Sequence, residues 1–171
     1  MLKTHNFLGA YKGQPFTTVD YTLGAIYVVR DPRNVITSVM NHFGLNIDKA
    51  FEFMTDIQKG TSFKIEDDFS TYTFLSNWSN HYKSWAHSKN FRKLIIKYED
   101  LEVNKYETFR DIVVFVNALL NRTERVDKKK LENAVKSTNF NVLKNLEKNK
   151  GFREALYSEK DKKKRTFFNL G

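Results

Sequence analysis

An arginine at the end of an apolar run, a helix start directly behind it and a serine further along are the residues best placed for chemistry: Arg30, Asp31-Pro32 and Ser38. Tyr27-Val28-Val29 reads as a strand of the kind buried on both faces of a parallel sheet. Asp31 suits a helix N-cap, and Pro32 suits the first helical position, where no amide hydrogen is needed. Val35, Ile36, Val39 and Met40 then keep helical spacing. Arg30 therefore stands at the carboxyl end of a strand, where open α/β sheets bind ligands. Ser38 lies eight residues on, about 80° around the helix from its start and within reach of a guanidinium folded back along it. A forked cation and a hydroxyl can grip one phosphate.

Those residues need a scaffold, and the pattern is α/β with heavy helix content. Strands are expected near Leu2 to Thr4, Ala25 to Val29 and Leu94 to Ile96. Helices are expected near Pro32 to Phe43, Asp48 to Lys59, Ser70 to His87, Glu102 to Leu120 and Asp127 to Lys136. Crossovers of that length imply parallel strands. Phe74, Trp78, Tyr82 and Trp85 keep a three-to-four-residue rhythm, which reads Trp85 and His81 as core of an amphipathic helix. Tyr98 follows the strand Leu94 to Ile96 on the same sheet edge as Arg30, where a phenol can contact a base or a phosphate. Asp100 is expected to cap the next helix, whose stripe of Tyr106, Phe109, Ile112, Val113 and Val116 is core. After Lys144 the chain turns polar, and little order is expected there.

The arginine, the helix start and the serine resemble the segment that binds the 3′-phosphate of 3′-phosphoadenosine 5′-phosphosulfate (PAPS) in the cytosolic-type sulfotransferases. Four further segments match that family in the same order. Lys3-Thr4-His5 is similar to its Lys-Thr-His segment, and the resemblance implies that His5 is the catalytic base and Lys3 the cation beside the leaving oxygen. Ser76 to Trp85 resembles its Gly-Ser-Trp-x-x-His-x-x-x-Trp helix, which borders the acceptor and cofactor region, so Trp78 could line a pocket. Tyr98-Glu99-Asp100-Leu101 looks like its Tyr-Glu-Asp-Leu strand end, with Tyr98 contacting the cofactor. Ser137 to Lys144 is similar to its Thr-Ser-Phe-x-x-Met-Lys segment, implying that Thr138 and Phe140 contact the purine, with Asn139 in place of a serine. The resemblance covers Lys3 to Gly171. It implies a P-loop-like, sulfotransferase-type parallel sheet flanked by helices, and sulfuryl transfer from PAPS to a hydroxyl or amine of a small-molecule or carbohydrate acceptor, with 3′,5′-ADP as product. Asn46 to Asp68 matches the segment that shapes the acceptor site.

The departures are equally specific. No Pro-Lys-Ser-Gly-Thr-type loop precedes Lys3, and Asn169 and Leu170 fall where the family carries an Arg-Lys pair before Gly-x-x-Gly-Asp-Trp. The chain is therefore expected to be one domain segment, 1–171, incomplete at its N- and C-termini. A noncatalytic nucleotide-binding remnant or interaction domain of the same fold is the alternative.

Composition narrows the setting. The 171 residues, 40% hydrophobic and 15% aromatic, suffice for one core. The absence of cysteine excludes disulfides and thiolate metal sites and fits a reducing, cytoplasmic location. The four histidines include no i, i+4 pair, so no metal is expected. No apolar run approaches membrane-spanning length, and the sequons at Asn77 and Asn121 are read as chance. The net charge of +9 is partly local, in Lys128 to Lys130 and in Lys160, Lys162, Lys163, Lys164 and Arg165. Solvated surface accounts for both runs, and the second would also attract a polyanionic nucleotide. No nucleic-acid-binding motif accompanies the charge. Uncovered strand edges leave a homo-oligomer open.

Overall fold

The computed structural model describes residues 1–66, 69–152, 154, 155, 157, 158 and 163–168. In chain order the elements are β1 (Ala10–Tyr11), β2 (Gln14–Pro15), β3 (Gly24–Val29), α1 (Pro32–Phe43), α2 (Ile47–Thr55), β4 (Gly60–Glu66), β5 (Phe69–Phe74) and α3 (Trp78–His87). There follow β6 (Arg92–Lys97), α4 (Tyr98–Val103), α5 (Lys105–Leu119), α6 (Lys128–Ser137), α7 (Phe140–Lys150), β7 (Tyr157–Ser158) and β8 (Lys163–Lys164).

The sheet that matters for the site is the parallel pair β3–β6, in register from Gly24 opposite Arg92 to Val29 opposite Lys97. Both strands stop together, so Arg30 and Tyr98 leave the sheet side by side. The crossover between them holds α1, α2, α3 and an antiparallel hairpin of β4 and β5. This is the α/β architecture expected. Ile96 is buried beneath the helices together with Trp85, Leu131 and Ala50, whereas Val28 and Ile95 are exposed.

Local chemistry explains the helix bounds. Asp31 caps α1 by accepting from the Arg33 amide at 2.8 Å, and Gly44, at φ 68°, ends the helix in the left-handed conformation. The hydrogen bonds from Arg33 hold the Asp31 carboxyl down at about 2. The stabilisation from that ionised cap is complete above the ordinary carboxylate range and is lost as pH falls through the lowered value. Asn77 caps α3 and Asp127 caps α6 in the same way. At its other end α3 is held by Lys93, whose Nζ donates to the carbonyls of Trp85 (2.8 Å), Ala86 (3.0 Å) and Ser88.

Six expectations are corrected. Leu2 to Thr4 forms no strand, because no described neighbour pairs with it. The helix expected from Ser70 starts at Trp78, since Phe69–Phe74 pairs with β4 and Ser76, buried at φ 57° with its hydroxyl on the Ile57 carbonyl, breaks the chain direction. The helix expected from Asp48 to Lys59 ends at Thr55, and Gly60–Glu66 behind it forms β4. Asp100 lies inside α4 and caps nothing with its side chain. Asn104 separates α4 from α5, again without a side-chain cap. The chain beyond Lys144 is ordered through Lys150, and the Glu147 carboxylate accepts from the amides of Phe167 (2.6 Å) and Phe168 (2.9 Å). Lys160, Lys162, Asn169 and Leu170 lie outside the described residues. Arg165 is half-buried rather than solvated, and its guanidinium donates to the Asn41 carbonyl at the end of α1.

Candidate functional site

The end of β3 builds the first cluster. The Arg30 guanidinium lies 4.3 Å from the centre of the Tyr98 ring, and its Nη1 donates to Ser38 Oγ at 3.3 Å. Parallel register brings Tyr98 under Arg30, and two helical turns of α1 bring Ser38 back to it. Asp31 N–H donates to the Glu99 carboxylate at 3.1 Å, which locks the start of α1 to the start of α4. Hydrogen bonds from the Glu99 and Asp31 amides lower the Glu99 pKa, keeping that lock ionised. Arg30 Nε is buried and has no hydrogen-bond partner among the described residues. A guanidinium with one donor unsatisfied, a hydroxyl beside it and an aromatic face behind it suits an oxyanion, and a phosphate can accept from several of these donors at once.

The N-terminal segment carries Lys3 and His5, and no hydrogen bond, ion pair or ring contact among the described residues joins either to Arg30. Lys3 Nζ lies 2.6 and 2.7 Å from the two carboxylate oxygens of Glu154. His5 is exposed at the surface yet crowded enough that burial, followed by the charge of Lys3, lowers its pKa, with Glu154 opposing. A neutral imidazole near pH 7 is the form that can take a proton. His42, at the end of α1, shares the field of Glu154 and His5, and burial lowers its pKa too.

The segment is tied down by its backbone. Phe7 N–H donates to the Phe74 carbonyl at 2.7 Å, Phe74 N–H to Asn6 Oδ1 at 2.9 Å, and Trp85 Nε1 to the Asn6 carbonyl at 2.9 Å. Trp85 and His81 are thus half-buried or buried, as the helical rhythm implies. Trp78 stacks on Tyr82 at 5.8 Å.

Thr138 and Phe140 stand apart. The Thr138 hydroxyl donates to the Ala134 carbonyl at 2.8 Å, and Phe140 meets Phe168 edge-on at 6.2 Å. No hydrogen bond, ion pair or ring contact among the described residues joins either to Arg30. Asn139, between them, caps α7 through the Asn141 amide. Sequence reasoning missed Glu99, Glu154 and His42. Glu99 lies in the Tyr98-Glu99-Asp100-Leu101 motif, but its approach to Asp31 depends on strand register, which residue spacing alone does not fix. Glu154 had no signal, being 151 residues from Lys3.

Among the described residues no group of three or more His, Asp and Glu side chains is gathered as a metal site. No described helix is long and apolar enough to cross a membrane.

No curated protein matches the chain. A family model described as Sulfotransferase domain matches residues 1–171. With that match over its whole length, and a helix-flanked parallel sheet presenting Arg30, Ser38 and Tyr98 at its carboxyl edge, the chain belongs to the sulfotransferase domain family.

Proposed function

We propose that the chain uses PAPS as donor, releases 3′,5′-ADP and sulfonates a hydroxyl or amine of a small-molecule or carbohydrate acceptor. The observation that carries this reading is the Arg30 cluster: a guanidinium on Tyr98, touching Ser38, with Nε buried and unpartnered. Those donors fit the 3′-phosphate that distinguishes this nucleotide from a simple 5′-nucleotide. Tyr98 offers a face or hydroxyl to the nucleotide. Thr138 keeps its oxygen lone pairs as acceptors for a purine amino group, and Phe140 offers an aromatic surface near the start of α7. When bound, the donor supplies an activated sulfuryl group.

The remaining chemistry belongs to Lys3 and His5. His5 accepts the proton of the acceptor hydroxyl or amine, and its lowered pKa keeps it competent at neutral pH. Lys3 supplies an ammonium in the same cluster, where negative charge on a leaving oxygen is stabilised. Glu154 holds that ammonium until an anion competes for it. The lack of cysteine suits a reducing compartment such as the cytoplasm.

The experiment is transfer of labelled sulfate from PAPS to a panel of phenols, alcohols, amines and sugars. Labelled product from one acceptor class, with 3′,5′-ADP released in equal amount, is expected. Label transfer from a donor lacking the 3′-phosphate at an equal rate would contradict the reading.

Glu154→Gln gives a second expected outcome. The Lys3–Glu154 pair is exposed, 62% and 44% at its two side chains, so it contributes at most about 1 kcal/mol. Freeing Lys3 should tighten donor binding by up to about fivefold. Because His5 must be neutral to act, kcat/KM rises with pH through a value below 6.5. Removing Glu154, which raises that value, moves the acid limb to lower pH. A limb that stays in place in Glu154→Gln would detach Glu154 from the base.

A further inference from the structure

The imidazole of His81 has both nitrogens engaged. Nε2 lies 3.0 Å from the His5 carbonyl oxygen and Nδ1 lies 3.0 Å from the Tyr27 phenol oxygen. A carbonyl oxygen only accepts, so Nε2 carries the hydrogen and Nδ1 is a bare lone pair that takes the phenol's proton as a hydrogen bond. Four residues further along the same face of α3, Trp85 Nε1–H donates to the Asn6 carbonyl at 2.9 Å. Two side chains of one helix thus hold the carbonyls of two consecutive residues, directly before the point where Phe7 bonds to Phe74 of β5. They extend the anchoring of the segment back toward the chain end, where fraying is otherwise expected.

Tyr27 links this clamp to the phosphate-binding side. It sits in β3, three residues before Arg30, with its ring 5.8 Å from His81, 5.9 Å from Trp85 and 6.4 Å from Tyr82. Those rings fix the phenol against the imidazole. We infer that Tyr27, His81 and Trp85 are positioning residues that set the His5 backbone relative to β3, so that one strand fixes both the base and the Arg30 clamp. The inference rests on the proposed role of His5 as base. His81 is then a fixed neutral strut, with no free nitrogen for proton transfer to an acceptor. Burial supports this arrangement by raising the Tyr27 pKa to about 12 and lowering that of His81, so the phenol remains a donor and the imidazole remains neutral.

The test uses Tyr27→Phe, which removes one hydroxyl and keeps the ring packing. Nitrogen-15 spectra of the imidazoles should show wild-type His81 protonated at Nε2 only, and a mixture of tautomers in Tyr27→Phe. Turnover should fall about tenfold, since a displacement of ~1 Å at a reacting group can cost about 10²-fold. The dissociation constant of 3′,5′-ADP should stay within twofold of wild type. His81→Gln, whose amide can still donate to the His5 carbonyl, should retain more turnover than His81→Leu. The spectra need no activity, so a protein that transfers no sulfate would sink the assigned function while leaving the clamp testable. A wild-type His81 protonated at Nδ1, or unchanged tautomers and turnover in Tyr27→Phe, would overturn the inference.

Discussion

On the proposed mechanism, His5→Ala is expected to lower turnover by about 10²–10⁴-fold, the range for a lost general base, while 3′,5′-ADP should bind as to wild type. The separation follows from geometry. No hydrogen bond, ion pair or ring contact among the described residues joins His5 to Arg30, Ser38 or Tyr98, and the proposed nucleotide clamp is held by the end of β3 and by α1. Its segment is fixed through backbone carbonyls rather than through the imidazole, so alanine removes the base without releasing the segment. His81 cannot stand in, because both of its nitrogens are engaged. The check is steady-state turnover on an accepted substrate with calorimetric binding on the same samples. Full turnover in His5→Ala would make His5 structural and leave the base to be sought elsewhere.

On the proposed site, Arg30→Ala is expected to remove a preference for 3′,5′-ADP over 5′-AMP. Hydrogen bonds to charged groups contribute about 1.5–3 kcal/mol each, so one such bond is a factor of about 10 to 150 in affinity. The loss should exceed that of Ser38→Ala, which deletes a single neutral hydroxyl. Arg30→Lys should not restore the preference, since an ammonium has neither the planar fork nor the same stacking on Tyr98. Competition calorimetry with the two nucleotides reads the effect, and an unchanged ratio in Arg30→Ala would remove Arg30 from the clamp.

What was legible in the sequence followed how local its signal was. α1 runs from Pro32 to Phe43 as expected, because Asp31, Pro32, the apolar spacing and the glycine behind Phe43 all lie within one stretch. The Arg30–Ser38 contact was legible for the same reason. β5 was misread because Phe74, Trp78, Tyr82 and Trp85 hold a helical rhythm across the strand end. Only the buried left-handed Ser76 and the cap at Asn77 break it. The approach of Tyr98 to Arg30 depended on strand register, which the motif order suggested but residue spacing alone does not fix. Partners brought in by tertiary folding left no local pattern. Glu154 reaches Lys3, and Tyr27 reaches His81, across 151 and 54 residues. The Lys3 to His5 segment was legible as a motif but not as structure, since side chains of α3 hold it in place of a strand neighbour.

The central claim is that Arg30, Ser38 and Tyr98 read a phosphate at one position of a nucleotide, beyond the general attraction of a chain of net charge +9. Calorimetric titration of 3′,5′-ADP against 2′,5′-ADP tests this most directly, because the two isomers carry the same charge and base and differ only in which ribose oxygen bears the phosphate. The account predicts that the 3′ isomer binds tighter by about tenfold or more, on the scale of one charge-assisted hydrogen bond. It also predicts that Arg30→Ala brings the two isomers together. Equal affinity of the isomers for the wild-type protein would show that charge alone is recognised and would contradict the assignment of this site.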